Sequence, residues 1–221
     1  MMGVPDLRPG SPPVQIFREP MPYWDSDAST PRTVKAMVAG VHRAAHDEFF
    51  RGAAHAVPFR WRGTLALPAF QFRQLPAASL EQAACAIADW WFTKHFIRFV
   101  QDQDITRKLL GVSDALEALI EPAVMMRCLH PEGDCDCFTM FLCALLESQH
   151  IPWEIVTVAC SRKQPGVWSH VFPRAVLADL QLPLDASHGT YPGWSVPSRD
   201  IQRMAVWDRN GDLVTPEQEV M

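Results

Sequence analysis

Apolar and polar positions change period along the chain, and the changes predict a mixed α+β protein. Behind Asp134, a good N-cap residue, Phe138, Phe141, Leu142, Leu145 and Leu146 recur at helical spacing. They predict a buried helix with Cys135 on its first turn, ending near Gln149 because Pro152 cannot continue it. Trp153 to Ala159 is rich in β-branched residues and reads as a strand, and Ser161 to Gly166 as a turn. Trp168 to Val176 returns as the next strand, with its far half demoted to an edge or bulge by Pro173. Leu182 to Ala186 is a third short strand.

Upstream, Ser29 or Thr30 is expected to cap a helix running to about Phe50, with Pro31 at its first position and Val34, Met37, Val38 and Val41 on one face. Gly63 to Phe72 alternates weakly and suggests an extended segment. Ser79-Leu80-Glu81-Gln82 has the capping-box pattern that opens a helix around Trp90. Asp208 to Asp212, between Val206-Trp207 and Leu213-Val214, is a hairpin-turn signal. Pro5, Pro9, Pro12, Pro13, Pro20 and Pro22 forbid regular helix before this, so residues 1–29 read as an extended Pro-rich arm. Its Ile16, Phe17 and Trp24 suit docking on a protein partner or on another copy of the chain. The chain thus divides into the arm 1–29, a domain 30–208 and a C-terminal hairpin or tail 209–221.

Composition narrows the classes. With 221 residues and 48% hydrophobic content the chain can bury a core. A net charge of -5 argues against nucleic acid or an anionic membrane as main partner. The absence of a long apolar run or a signal-peptide pattern leads to the expectation of a cytoplasmic protein, in which the six cysteines are reduced thiols.

The candidate chemistry is a cysteine, a base and an orienter in order: Cys135, His170 and Asp185. A thiol attacks as thiolate, which the positive end of a helix favours, and a histidine can take its proton. Asp134 and Trp168 are the cleft candidates, Trp168 as a shield over His170. Asp179 competes with Asp185 as orienter. Zinc held by Cys128, His130, Cys135, Cys137 and Cys143 is the rival chemistry, and their spacing does not match the usual knuckles. No metal and no cofactor are expected. The remaining histidines, His42, His46, His55, His95, His150 and His188, have no ligand spacing.

Gly133-Asp134-Cys135-Asp136, Ser169-His170-Val171 and Pro183-Leu184-Asp185 resemble the core motifs of the transglutaminase-like family, including its bacterial and prophage-encoded members. The likeness extends over roughly residues 30 to 208 and includes a helix at Ala84 to Val100, a segment at Thr33 to His46 and the Trp-rich stretch from Trp194 to Trp207. It implies a papain-like fold, with the nucleophile helix packed on a small antiparallel sheet. It also implies a Cys135, His170, Asp185 triad in a thiol hydrolase or acyl transferase. The chain departs from the pattern at Cys137, where a second acidic residue is usual. Two residues apart on a helix, Cys135 and Cys137 face different ways, so Cys137 is expected to be a buried filler. The implied activity is hydrolysis of a peptide or amide in a peptide or protein substrate. The alternative is a structural or assembly protein, such as a virion component, with a vestigial or single-use site.

Overall fold

The computed structural model describes residues 26–61, 76–110, 118–178 and 180–219. Helices α1 (Ser26–His46), α2 (Glu48–Trp61), α3 (Ala77–Phe96), α4 (Asp102–Leu110), the short α5 (Pro122–Met125) and α6 (Cys135–Ser148) fill the first part. Strands β3 (Trp153–Ala159), β4 (His170–Leu177), β5 (Leu180–Pro183), β6 (Arg203–Trp207) and β7 (Leu213–Glu219) follow. Two short strands, β1 (Arg98–Phe99) and β2 (Glu132–Gly133), pair in parallel just ahead of α6. The larger sheet has the order β5-β4-β3-β6-β7, with every neighbouring pair antiparallel. The fold is α+β with a small antiparallel sheet. Among the described residues, no helix is long and apolar enough to cross a membrane.

Helix α6 is the centre of the structure. Asp134 holds extended backbone and its carboxylate accepts the N–H groups of Asp136 at 3.2 Å and Cys137 at 3.4 Å, which starts the helix at Cys135. The helix stops where His150 takes a left-handed φ of 57° and the Ile151 N–H donates to the Leu146 carbonyl at 2.9 Å. Phe141, Leu142, Cys143, Ala144, Leu145 and Leu146 are all fully buried, because α1, α2 and α3 cover one side of α6 and β3 and β4 the other. Each large apolar side chain so buried contributes about 1.5–3 kcal/mol. Ile155, Val171, Ala175, Ala205 and Trp207 bring the inner face of the sheet into this core. Val156, Val158, Phe172 and Val206 face the other way, under Ile201.

Several boundaries differ from the sequence reading. Helix α1 begins at Ser26, a turn before Ser29, because Asp27 is engaged by Trp168 at 3.2 Å and Arg203 at 3.1 Å. Pro31 therefore lies inside the helix rather than at its first position. The helix does not reach Phe50: it breaks at Asp47, whose carboxylate accepts the Phe50 N–H at 2.9 Å and starts α2. Helix α3 begins after Pro76 with no side-chain cap, and Ser79 is buried within it, so the capping box does not form. It ends at Phe96, short of Val100, because Arg98 and Phe99 are drawn into β1.

Pro173 lies within β4, an interior strand, and produces neither an edge nor a bulge. Its carbonyl accepts the Leu184 N–H at 2.9 Å, so its nitrogen faces that same residue, and the ladder bond that proline cannot make falls just past the end of β5, where the pairing stops. The third strand is Leu180–Pro183, which leaves Asp185 in the turn beyond it. The hairpin at Asp208–Asp212 forms as expected, with Gly211 at a φ of 76° and the Asp208 carboxylate accepting the N–H groups of Asn210 and Asp212. It continues the sheet through β7 rather than forming a separate tail. Most of the arm, the segment from Gly63 to Phe72 and Asp179 lie outside the described residues.

Candidate functional site

His170 opens β4 opposite Val158 of β3. Its side chain is only 8% exposed, and its Nε2 lies 2.6 Å from Oδ2 of Asp185, which is fully buried. Two further donors converge on the other carboxylate oxygen, the Ser187 hydroxyl at 2.8 Å and the His188 N–H at 2.9 Å. Burial pushes the Asp185 carboxyl upward. The hydrogen bond and charge of His170, the His188 N–H and the Ser187 hydroxyl outweigh it and hold the group below its ordinary value. Asp185, rather than any other described carboxylate, is thus the hydrogen-bond partner of His170.

A carboxylate can only accept, so in the neutral imidazole the proton resides on Nε2 and the Nδ1 lone pair is the basic position. That Nδ1 is buried and has no hydrogen-bond partner among the described residues. A buried ring nitrogen left open in this way is a candidate position for accepting a proton from a neighbouring group.

Cys135 is the first residue of α6 and is half-buried. One turn further on the same helix face, the Thr139 hydroxyl donates to the carbonyl of Val171 at 3.3 Å, next to His170. Phe99 packs between Phe138, at 6.2 Å, and His188, at 5.2 Å between ring centres. These contacts hold the first turns of α6 against β4 and, through Phe99, against the turn that carries His188.

The electrostatics around the thiol are mixed. The helix N-terminus favours a thiolate, whereas Asp134 and Asp136 oppose one, their carboxylates lying within 4.8 Å of the thiol and of one another. Burial pushes the Asp134 carboxyl well above its ordinary value, and the charges of Asp136 and Asp102 push it further. Asp134 therefore resists ionisation and brings less negative charge to the thiol than an exposed aspartate would. Cys137 is fully buried, as expected of a filler, and its thiol donates to the Ala118 carbonyl at 3.3 Å.

Trp168 has contacts of its own. Its indole N–H donates to Asp27 and its ring lies under the Arg203 guanidinium at 4.7 Å, bracing α1 against β6. The rings set against His170 are those of His188, at 4.4 Å between centres, and Phe172, stacked at 5.8 Å. Sequence reading passed over His188 and Ser187. The signal was the local pattern Asp-x-Ser-His, in which an aspartate recruits donors two and three residues on to close a turn.

For metal binding, two sets of donor atoms among the described residues lie within 4.8 Å of one another, His170, Asp185 and His188 in one and Asp134, Cys135 and Asp136 in the other. In the first, His170 and Asp185 are engaged with each other, and in the second Asp134 caps α6. Neither set unites the cysteines and His130 of the zinc reading. No protein-family model matches the chain, and no curated protein is similar enough to count as a relative.

Proposed function

We propose that this protein is a thiol hydrolase or acyl transferase of the transglutaminase-like kind, with Cys135 as nucleophile, His170 as general base and Asp185 as orienter. The observation that carries the reading is the buried His170–Asp185 pair, joined through Nε2 at 2.6 Å and leaving a buried, unpartnered Nδ1. Thr139, one turn along the helix whose first residue is Cys135, donates to the carbonyl of Val171, the neighbour of His170. The antiparallel sheet against α6 accords with a papain-like core.

In this reading His170 Nδ1 takes the proton of the Cys135 thiol, and the thiolate attacks an amide carbonyl. Negative charge on the carbonyl oxygen is met by backbone N–H groups at the helix start, that of Cys135 among them. The imidazolium returns its proton to the leaving amine as the C–N bond breaks, which leaves a thioester on Cys135. Water, activated by the same nitrogen, then cleaves the thioester, releasing a carboxylic acid and restoring the thiol. An amine in place of water would give transfer, and water is the default acceptor.

The test is intact mass after incubation with an activated ester. Wild type should gain one acyl group, Cys135→Ala none, and His170→Ala should acylate far more slowly. No adduct on wild type, or an equal adduct on Cys135→Ala, overturns the reading and leaves the structural or assembly role.

A further inference from the structure

The turn from Asp185 to His188 sets a second histidine against the first. The His188 ring meets that of His170 edge to face, at 74° and 4.4 Å between centres, with Phe99 on its other side. The Ser187 hydroxyl has one proton, which it gives to Asp185 Oδ1 at 2.8 Å, so towards His188 Nδ1, at 3.0 Å, it can only accept. Neutral His188 therefore carries its proton on Nδ1 and keeps Nε2 as an acceptor. Lys94, on α3, fixes the same turn by donating to the Ser187 carbonyl at 3.2 Å.

The charged groups facing His188 are His170 from β4, Asp185 from its own turn and Lys94 from α3, while β1 contributes the apolar ring of Phe99. Burial disfavours the imidazolium of His188, as does a charged His170. Asp185 pulls the other way and Lys94 adds to the opposition. The two rings are too close for both to be charged at little cost.

We propose that His188 is a positioning residue for His170: uncharged, it walls in the imidazole, and because a charge on either ring opposes a charge on the other, its titration is coupled to that of the base and shapes the acid side of the site. The proposal rests on the base role given to His170 above. It adds to that role a group that sets the pH range in which the base works.

The experiment measures the rate at which iodoacetamide alkylates Cys135 in the full-length protein, by peptide mass, from about pH 5 to about pH 8, the range in which histidines titrate. Wild type, His188→Phe, His188→Ala and His170→Ala are compared, each normalised to its own plateau. His188→Phe keeps a ring but cannot be charged. Its acid limb should lose one proton and be displaced from that of wild type by about fivefold in hydrogen-ion concentration, the effect of two charges at this separation in bulk water. His188→Ala should show the same altered limb and a lower absolute rate, since the wall is gone. Superimposable limbs for wild type and His188→Phe overturn the proposal. If His170→Ala reacts as fast as wild type at every pH, the base role itself fails, an outcome distinct from coincident His188 limbs on an active His170.

Discussion

Replacing Asp185 by Asn is the sharpest perturbation of the His170 pair because it changes charge and hydrogen-bond sense with almost no change in shape. Asp185 is 1% exposed and receives three hydrogen bonds, at 2.6, 2.8 and 2.9 Å. An asparagine keeps one oxygen for the Ser187 hydroxyl and the His188 N–H but turns its NH2 towards His170 Nε2. Nε2 must then accept, the imidazole proton moves to Nδ1, and the nitrogen meant to take the thiol proton is blocked. Losing one charge-assisted bond costs about 1.5–3 kcal/mol, which for a chain of this size lowers Tm by about 3–12 °C. The rate of acyl-enzyme formation should fall much further, by roughly 10²–10⁴. The Asp185 carboxyl is held below its ordinary value of 3.8, so its contribution to stability is complete above that value and is lost as pH falls through the lower folded value. The gap in Tm between wild type and Asp185→Asn should therefore narrow in acid. The assays are ester acylation by intact mass, thermal unfolding against pH, and nitrogen chemical shifts of His170 for the tautomer. A variant that acylates like wild type, or keeps the proton on Nε2, refutes the reasoning.

Other outcomes follow from particular neighbours. A Cβ at Gly189 would run into the backbone carbonyl of Asp185 and lie 3.3 Å from the Trp194 ring, so Gly189→Ala should displace the turn and slow acylation even where the protein remains folded by circular dichroism; unchanged acylation contradicts this. A Cβ at Gly133 would run into Cys137 Cβ and lie 3.3 Å from Met125, so Gly133→Ala should cost about 1–3 kcal/mol in denaturant unfolding, and a neutral result would mean that the start of α6 yields freely. Asp89 is fully buried and accepts both its hydrogen bonds from Gln149, at 3.0 and 2.8 Å, and burial raises its carboxyl well above the ordinary value against that partner. Its stabilising protonated form is lost as pH rises through the folded value. Asp89→Asn should therefore gain stability relative to wild type with rising pH, and a Tm difference that does not vary with pH argues against it.

The elements nearest the candidate site were the most legible in the sequence, because local chemistry determines them. Asp134 caps its own helix, His150-Ile151-Pro152 ends it, and Trp153 to Ala159 forms the strand at its expected bounds. Where the sequence misled, tertiary contacts outweighed local preference. Trp168 and Arg203 draw Asp27 into α1 ahead of Pro31, and β2 draws Arg98 and Phe99 out of α3. Pro173 reads as a strand breaker until the end of β5 is known, since only then does the one bond it cannot make fall just past Pro183, where the pairing stops. The order of Cys135, His170 and Asp185 was readable, and so was the pairing of the last two. His188 was not, because its closeness to His170 depends on how the turn after β5 folds back, which no spacing encodes.

The central claim is that Cys135 is an activated thiol served by His170, and competitive alkylation of the folded protein tests it most directly. Burial pushes the thiols of Cys137 and Cys143 well above their ordinary value and those of Cys128 and Cys160 above it, which disfavours the reactive thiolate at all four. Cys85 packs against the core from α3. With limiting iodoacetamide at neutral pH and mass mapping of all six cysteines, Cys135 should be modified well before the others in wild type and lose that lead in His170→Ala. Equal labelling of the six, or a lead of Cys135 that survives the loss of His170, contradicts the account.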